Sequence, residues 1–254
     1  MRYALKVAYD GKVFHGFARQ PNLVTVEGEI IRILQDHNII TVPQDAMFRS
    51  ASRTDKGVSA LGNVVAFNTF RRIELNNLHD LNNSSSNIYF YGTKEVNNIF
   101  YPRHAKMRWY RYYLKVNADM DKDVFLKAAV VFTGTHDFSN FARVETHRSP
   151  VRKIENIVVE WVKDDFVVID FYAQNFLWQQ VRRIVAAMKK VGEGLVDVRT
   201  LNYTLTHPGK RFDFGVAPAE SLILMDVFYD FEFEYQKDAS HRLKTLEKKI
   251  VQPN

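Results

Sequence analysis

The stretch Ser52-Arg53-Thr54-Asp55-Lys56-Gly57-Val58-Ser59-Ala60 holds the residues best suited to chemistry. Asp55 stands between two cations, Arg53 and Lys56, with Gly57 behind it and apolar, strand-like sequence on either side. An aspartate is an anion at neutral pH, which suits a nucleophile or general base and not a proton donor. The competing reading is an Asp that caps a turn between two solvated neighbours, a common use of aspartate.

Two further candidates lie later in the chain. Tyr110 sits in Arg108-Trp109-Tyr110-Arg111-Tyr112-Tyr113, where flat cations alternate with flat rings. Such a surface suits phosphates and unstacked bases, and a ring there can contribute about 1–3 kcal/mol by stacking on a base. Strand alternation also puts Tyr110 on one face with Leu114 and Val116, as a core residue would be, so both readings stand. Arg182 adjoins the apolar stripe Leu177, Val181, Ile184, Val185 and Met188 of a helix that Gly192 should stop. An arginine there either reaches solvent along its stem or pairs with an acid.

Other constellations carry less. His136, Asp137 and Ser139 lack a nucleophile-elbow pattern around them. Asp121 and Asp123 read as a helix start, and Asp164 and Asp165 as a hairpin turn, rather than as metal ligands. The sequence has no GxxxxGK[ST] phosphate loop, dinucleotide fingerprint or HExxH. With no cysteines it offers no thiolate metal site, disulfide or thiol nucleophile. Chemistry without metal or organic cofactor is the expectation.

The elements that must position these residues follow from periodicity. Tyr3, Leu5, Val7 and Tyr9 predict a half-buried strand ended by Asp10-Gly11. Thr25 opens a helix with Glu27 and Glu29 in its first turn and Val26, Ile30, Ile33 and Leu34 on one face. Residues 47–51 and 63–68 read as strands flanking the Asp55 loop, and 88–96 as another. In the second half, 110–116 is a strand and Val124, Ala128, Val131 and Phe132 mark a helix face. A hairpin pairs 158–162 with 166–173, 222–233 is a late strand region, and Leu243, Leu246 and Ile250 allow a short surface helix. This predicts an α+β protein of two similar halves with mixed or antiparallel sheets, divided as 1–104 and 105–254. No literal repeat relates the halves.

Composition sets the remaining bounds. The 254 residues are 46% hydrophobic and 13% aromatic, enough for a core, and the formal charge of +6 favours polyanionic partners. No apolar run reaches the roughly 18 residues of a membrane span, and Met1 leads directly into a strand pattern, so neither membrane nor export signal is expected and a cytoplasmic location is.

Taken together, the stretches resemble the tRNA pseudouridine synthase A (TruA) family along most of the chain. Arg53-Thr54-Asp55-Lys56-Gly57-Val58-Ser59-Ala60 is similar to its Arg-Thr-Asp-X-Gly-Val-X-Ala loop. Tyr9-Asp10-Gly11 with Phe14-His15-Gly16-Phe17, Tyr110-Arg111-Tyr112, Gly134 to Phe141, Asn175-Phe176-Leu177 with Val181-Arg182, and Ala217-Pro218-Ala219 resemble further family motifs in the same order. The resemblance implies two α/β halves joined around a central basic cleft, a homodimer, and tRNA as partner. It implies isomerisation of uridine to pseudouridine in the anticodon stem-loop, with neither metal nor cofactor. It makes Asp55 the catalytic aspartate, Arg53 an aid in placing the nucleotide, Tyr110 the ring that stacks on substrate, and Arg182 the arginine that pairs with the aspartate. Ser52, Lys56, Ser59 and Ser221 depart from residues common in the family. The rival reading is a non-catalytic RNA-binding protein or tRNA chaperone on the same scaffold.

Overall fold

The computed structural model describes residues 1–210 and 212–251. In chain order the elements are β1 (Arg2–Tyr9), a 3-10 turn (Gly11–Val13), α1 (Val26–Asp36), β2 (Arg49–Ser50), β3 (Ser59–Asn68), α2 (Leu75–Asn82) and β4 (Ile88–Val96). There follow β5 (Met107–Lys115), α3 (Lys122–Val131), β6 (Gly134–Asp137), β7 (Val151–Lys163), β8 (Phe166–Ala173), α4 (Gln180–Gly192) and α5 (Val198–Thr206). Last come β9 (Leu222–Phe228), β10 (Glu234–Tyr235) and α6 (Ala239–Val251). The fold is α+β, as the alternation of strand and helix patterns requires.

The chain divides into two units, Met1–Lys106 with Ile223–Asn254, and Met107–Leu222. The expected division into 1–104 and 105–254 is therefore corrected at its far end. Residues beyond β9's start return to the first unit because β9 adds to β3 in parallel, Ser59 against Ile223, and β10 adds to β4. The apolar face of α6 then covers Ala8, Tyr89 and Tyr91 through Ala239, Leu243 and Leu246.

In the first unit the strand order is β10-β4-β1-β3-β9, with β2 paired to β3. β1 lies in the middle, antiparallel to β3 and to β4. It is buried along its whole length rather than on alternate residues, which corrects the half-buried expectation. The alternation misleads because Lys6 is polar yet 2% exposed: its Nζ meets Asp226 of β9 and donates to Val227 O at 2.9 Å. Burial pushes the Lys6 ammonium below its usual pKa, and the Asp226 charge opposes that shift. α1 is capped as predicted, Thr25 Oγ1 accepting from Gly28 N at 3.3 Å.

The second unit is an antiparallel β5-β8-β7-β6 sheet. The β7–β8 hairpin turns at Asp164, whose carboxylate accepts from Lys122 Nζ at 2.8 Å, and Asp121 caps α3 by accepting from Val124 N at 2.9 Å. Both aspartate pairs thus serve local structure. α2, β6 and α5 were not anticipated, each being short; α2 buries only Leu78 and Leu81.

The Lys6–Asp226 pair yields a stability prediction. Asp226→Ala strands a buried ammonium, which for a fully buried pair costs about 3–5 kcal/mol. Asp226 keeps 30% of its side chain exposed, so the expected loss is about 2–3 kcal/mol. Urea denaturation should show it, with Lys6→Met/Asp226→Leu recovering much of the loss; equal instability of the two variants would contradict the burial argument.

Candidate active-site loop and its supports

Asp55 lies on the loop between β2 and β3, half-buried, with Arg53 and Lys56 exposed on either side. The loop is fastened to the sheet below it at several points. Thr54 O accepts from Phe17 N at 3.0 Å, and Thr54 Oγ1 shares a 2.8 Å hydrogen bond with Tyr9 OH. Asn63, fully buried on β3, accepts from Ser52 N at 3.2 Å through Oδ1. Its Nδ2 donates to Ser52 O at 3.0 Å and to Tyr9 OH at 3.2 Å. One amide side chain therefore fixes the backbone three residues before Asp55 and the hydroxyl that holds Thr54.

The far side of the loop is closed by backbone geometry. Val58 N donates to Asp55 O at 3.1 Å, making a four-residue turn with Gly57 third. Gly57 has φ +86, a conformation that turns of this kind demand and that side chains resist. Behind the turn, Gly11 packs so closely that a Cβ would sit 2.2 Å from Val58 O, and Gly11 N donates to buried Ser59 Oγ at 2.9 Å. The last turn of α6 braces this corner, since Ile250 O accepts from Lys12 Nζ at 2.8 Å and Lys249 Nζ lies 3.8 Å from Asp10.

Tyr110 and Arg182 belong to the second unit. Tyr112 and Leu114 are buried, whereas Tyr110, on the same face of β5, is half-buried. Its ring is edge-on to Phe176 at 5.3 Å and 88°. Arg182, in the first turn of α4, donates from Nε to Ala217 O at 2.8 Å, and its own carbonyl accepts from Ala217 N at 3.1 Å. The same segment holds β5: Pro218 O accepts from Tyr112 OH at 3.0 Å and Ser221 O from Tyr113 N at 3.0 Å. Residues 217–221 thus tie the tyrosine strand to the arginine helix. Burial pushes the Tyr112 phenol up to about 12, while a Ser221 hydrogen bond and the Arg182 charge act the other way. Tyr112 therefore stays a neutral donor.

These contacts account for one departure noted in the sequence, since the Ser59 hydroxyl supplies the acceptor for Gly11 N; the Ser221 contact with β5 is made by its backbone and does not depend on serine. Lys56 is exposed, and nothing in the structure explains its choice. Asn63 and Tyr9 were missed as site supports; the signal was Asn63, a lone amide in the otherwise apolar run Ala60 to Phe67.

Comparison with known proteins places the chain in a family. The family described as tRNA pseudouridine synthase matches residues 128–230. The chain is 44% identical over 248 residues to the tRNA pseudouridine synthase A of Thermococcus sibiricus, covering 96% of this chain and 91% of that protein. It is 43% identical to the Thermococcus kodakarensis protein of that name, over 90% of this chain and 85% of the other. To the Pyrococcus furiosus protein it is 41% identical over 99% and 92%. The chain belongs to the tRNA pseudouridine synthase family, a family of isomerases.

Proposed function

We propose that this protein converts uridine to pseudouridine in the anticodon stem-loop of tRNA, with Asp55 as the catalytic carboxylate. The observation that carries the reading is the Asp55 loop itself. Its flanks are fastened to buried groups, Ser52 and Thr54 on one side and Val58 on the other, while Asp55 stays half-buried and Arg53 reaches solvent. A turn aspartate with only a capping role needs no such support. Identity of 44% over 96% of the chain to a protein named tRNA pseudouridine synthase A supports the isomerase part of the reading.

The reaction is an isomerisation. The bond from uracil N1 to ribose C1′ breaks, the base turns over, and C5 bonds to C1′ while the C5 proton is lost and N1 gains one. The protein has to hold an anion at the sugar–base junction and keep a detached uracil from diffusing away. Fixed placement of reacting groups can supply several kcal/mol, up to about 7–11 in ideal intramolecular cases. In this reading Asp55 supplies the anion, Arg53 places the nucleotide, Tyr110 stacks on the base and Arg182 is a cation acting on the same substrate. The resemblance also favours a homodimeric, cytoplasmic enzyme.

Tritium release from C5-labelled uridine in tRNA transcripts tests the assignment. Asp55→Asn should retain tRNA affinity and lose about 10²–10⁴-fold in turnover, the range for removing one catalytic group. Near-normal release by that variant would favour a non-catalytic RNA-binding protein instead. Pseudouridine mapping in cells with and without the protein checks the stem-loop.

Asn63→Ala leaves Ser52 N and Ser52 O without their partner, so stability should fall by about 1–3 kcal/mol. Turnover should fall as well, because the loop loses its fixed position. A variant destabilised to this extent with turnover intact would show that Asn63 braces the fold but not the carboxylate.

A further inference from the structure

A cavity of about 520 Å³ opens on the first unit, and guanidinium groups dominate its wall: Arg19, Arg49, Arg53 and Arg103. Tyr101 contributes a ring, and Glu27 is the carboxylate among these described lining residues. Glu27 is already engaged, accepting from Arg19 N at 3.0 Å and lying 4.0 Å from Arg19 Nε. Guanidinium groups so gathered raise the local positive potential and draw anions to the cavity.

The cavity is built, not incidental to long surface side chains. Two of its walls are the segment ending at Arg49 and the loop carrying Tyr101 and Arg103, and Ala18, Arg19, Glu27 and Arg53 complete it. Both of those walls are tied to one guanidinium, that of Arg2, which is 2% exposed. Arg2 donates to Met47 O at 3.3 Å on one wall and to Phe100 O at 2.9 Å on the other, with Asn68 Oδ1 at 2.9 Å between them. Local turns stiffen each wall, Phe48 N donating to Pro43 O at 3.0 Å and His104 N to Tyr101 O at 2.9 Å. Burial and the neighbouring Arg49 charge both draw Arg2 below its ordinary pKa, so positive charge accumulates here even at some cost.

The volume falls within the roughly 300–1,000 Å³ of ligand sites, but such sites are mostly apolar and this one is mostly cationic. The planar fork of arginine matches the oxygens of phosphate, and a guanidinium offers five donors, so the bond from Arg49 Nη1 to Phe48 O leaves others for a ligand. Arg53 joins the cavity to the loop of Asp55, two residues on.

We propose that this cavity is a phosphodiester subsite. It holds the RNA backbone beside the nucleotide delivered to Asp55, through Arg19, Arg49 and Arg103 together with Arg53, and Tyr101 stacks on an adjoining base or ribose. The inference rests on the RNA-modifying reading above and adds residues that reading does not use.

The test is tRNA-transcript binding by the full chain as salt is varied. Arg19→Gln/Arg49→Gln removes two exposed charges and leaves Arg2 intact, so folding should persist. The slope of log affinity against log salt should flatten by about 1–2, as expected for one or two lost phosphate contacts, and affinity should fall about 10-fold. Arg49→Lys, which keeps the charge but not the fork, should keep the slope and bind less tightly. Coincident slopes for wild type and double variant would overturn the proposal. So would inorganic phosphate binding that the double variant loses while its tRNA affinity stays at the wild-type value, which would mark a free-phosphate pocket. Wild-type protein that binds tRNA with this slope but releases no tritium would instead sink the isomerase reading and leave the subsite standing.

Discussion

The arrangement of the first unit around its loop turns on one buried amide. Asn63 sits at 0% exposure in a strand of apolar residues, where an unpaired polar group would cost about 1–3 kcal/mol. Its oxygen and nitrogen are both occupied, by the backbone of Ser52 and the hydroxyl of Tyr9. Satisfying Asn63 therefore dictates where the loop begins, and Tyr9 passes that constraint on to Thr54. The same bonds that make the amide tolerable inside the core hold the Asp55 carboxylate at the surface of the sheet. Stability and site geometry are one requirement here.

The second unit solves an analogous problem with backbone instead of side chain. Residues 217–221 run between α4 and β5, giving a carbonyl to Arg182, one to Tyr112 and one to Tyr113. Arg182 is long and flexible, and the bond from its Nε to Ala217 O removes part of that freedom. Proline at position 218 cannot donate, so the segment presents acceptors to both neighbours. Loop and strap alike fix candidate site residues by satisfying buried polar groups.

Charge adds a second layer. The formal excess of +6 is a property of the whole sequence, but at the Arg2-braced cavity it becomes local. Arg19, the Arg49–Arg53 stretch and Arg103 are far apart in the chain, and the segments that carry Arg49 and Arg103 are fastened to one buried guanidinium. Net charge is legible from composition. Its focus depends on which loops meet, and no local pattern encodes that.

Local chemistry made several features readable in advance: the Thr25 cap, the hairpin at Asp164 and the apolar stripe of α4. Each depends on neighbours within a few residues, where dihedral preference and side-chain periodicity act directly. The Arg53–Asp55 loop was legible for the same reason, since its composition is unusual over a short span. Contacts across long sequence separations were hidden. The burial of Lys6 depends on Asp226, 220 residues away, and the return of β9, β10 and α6 to the first unit depends on which sheet edge remained open. The sequence by itself determined the longer elements and the candidate residue types; only tertiary structure decided which polar groups share a buried neighbour, because that is settled by packing rather than by proximity along the chain.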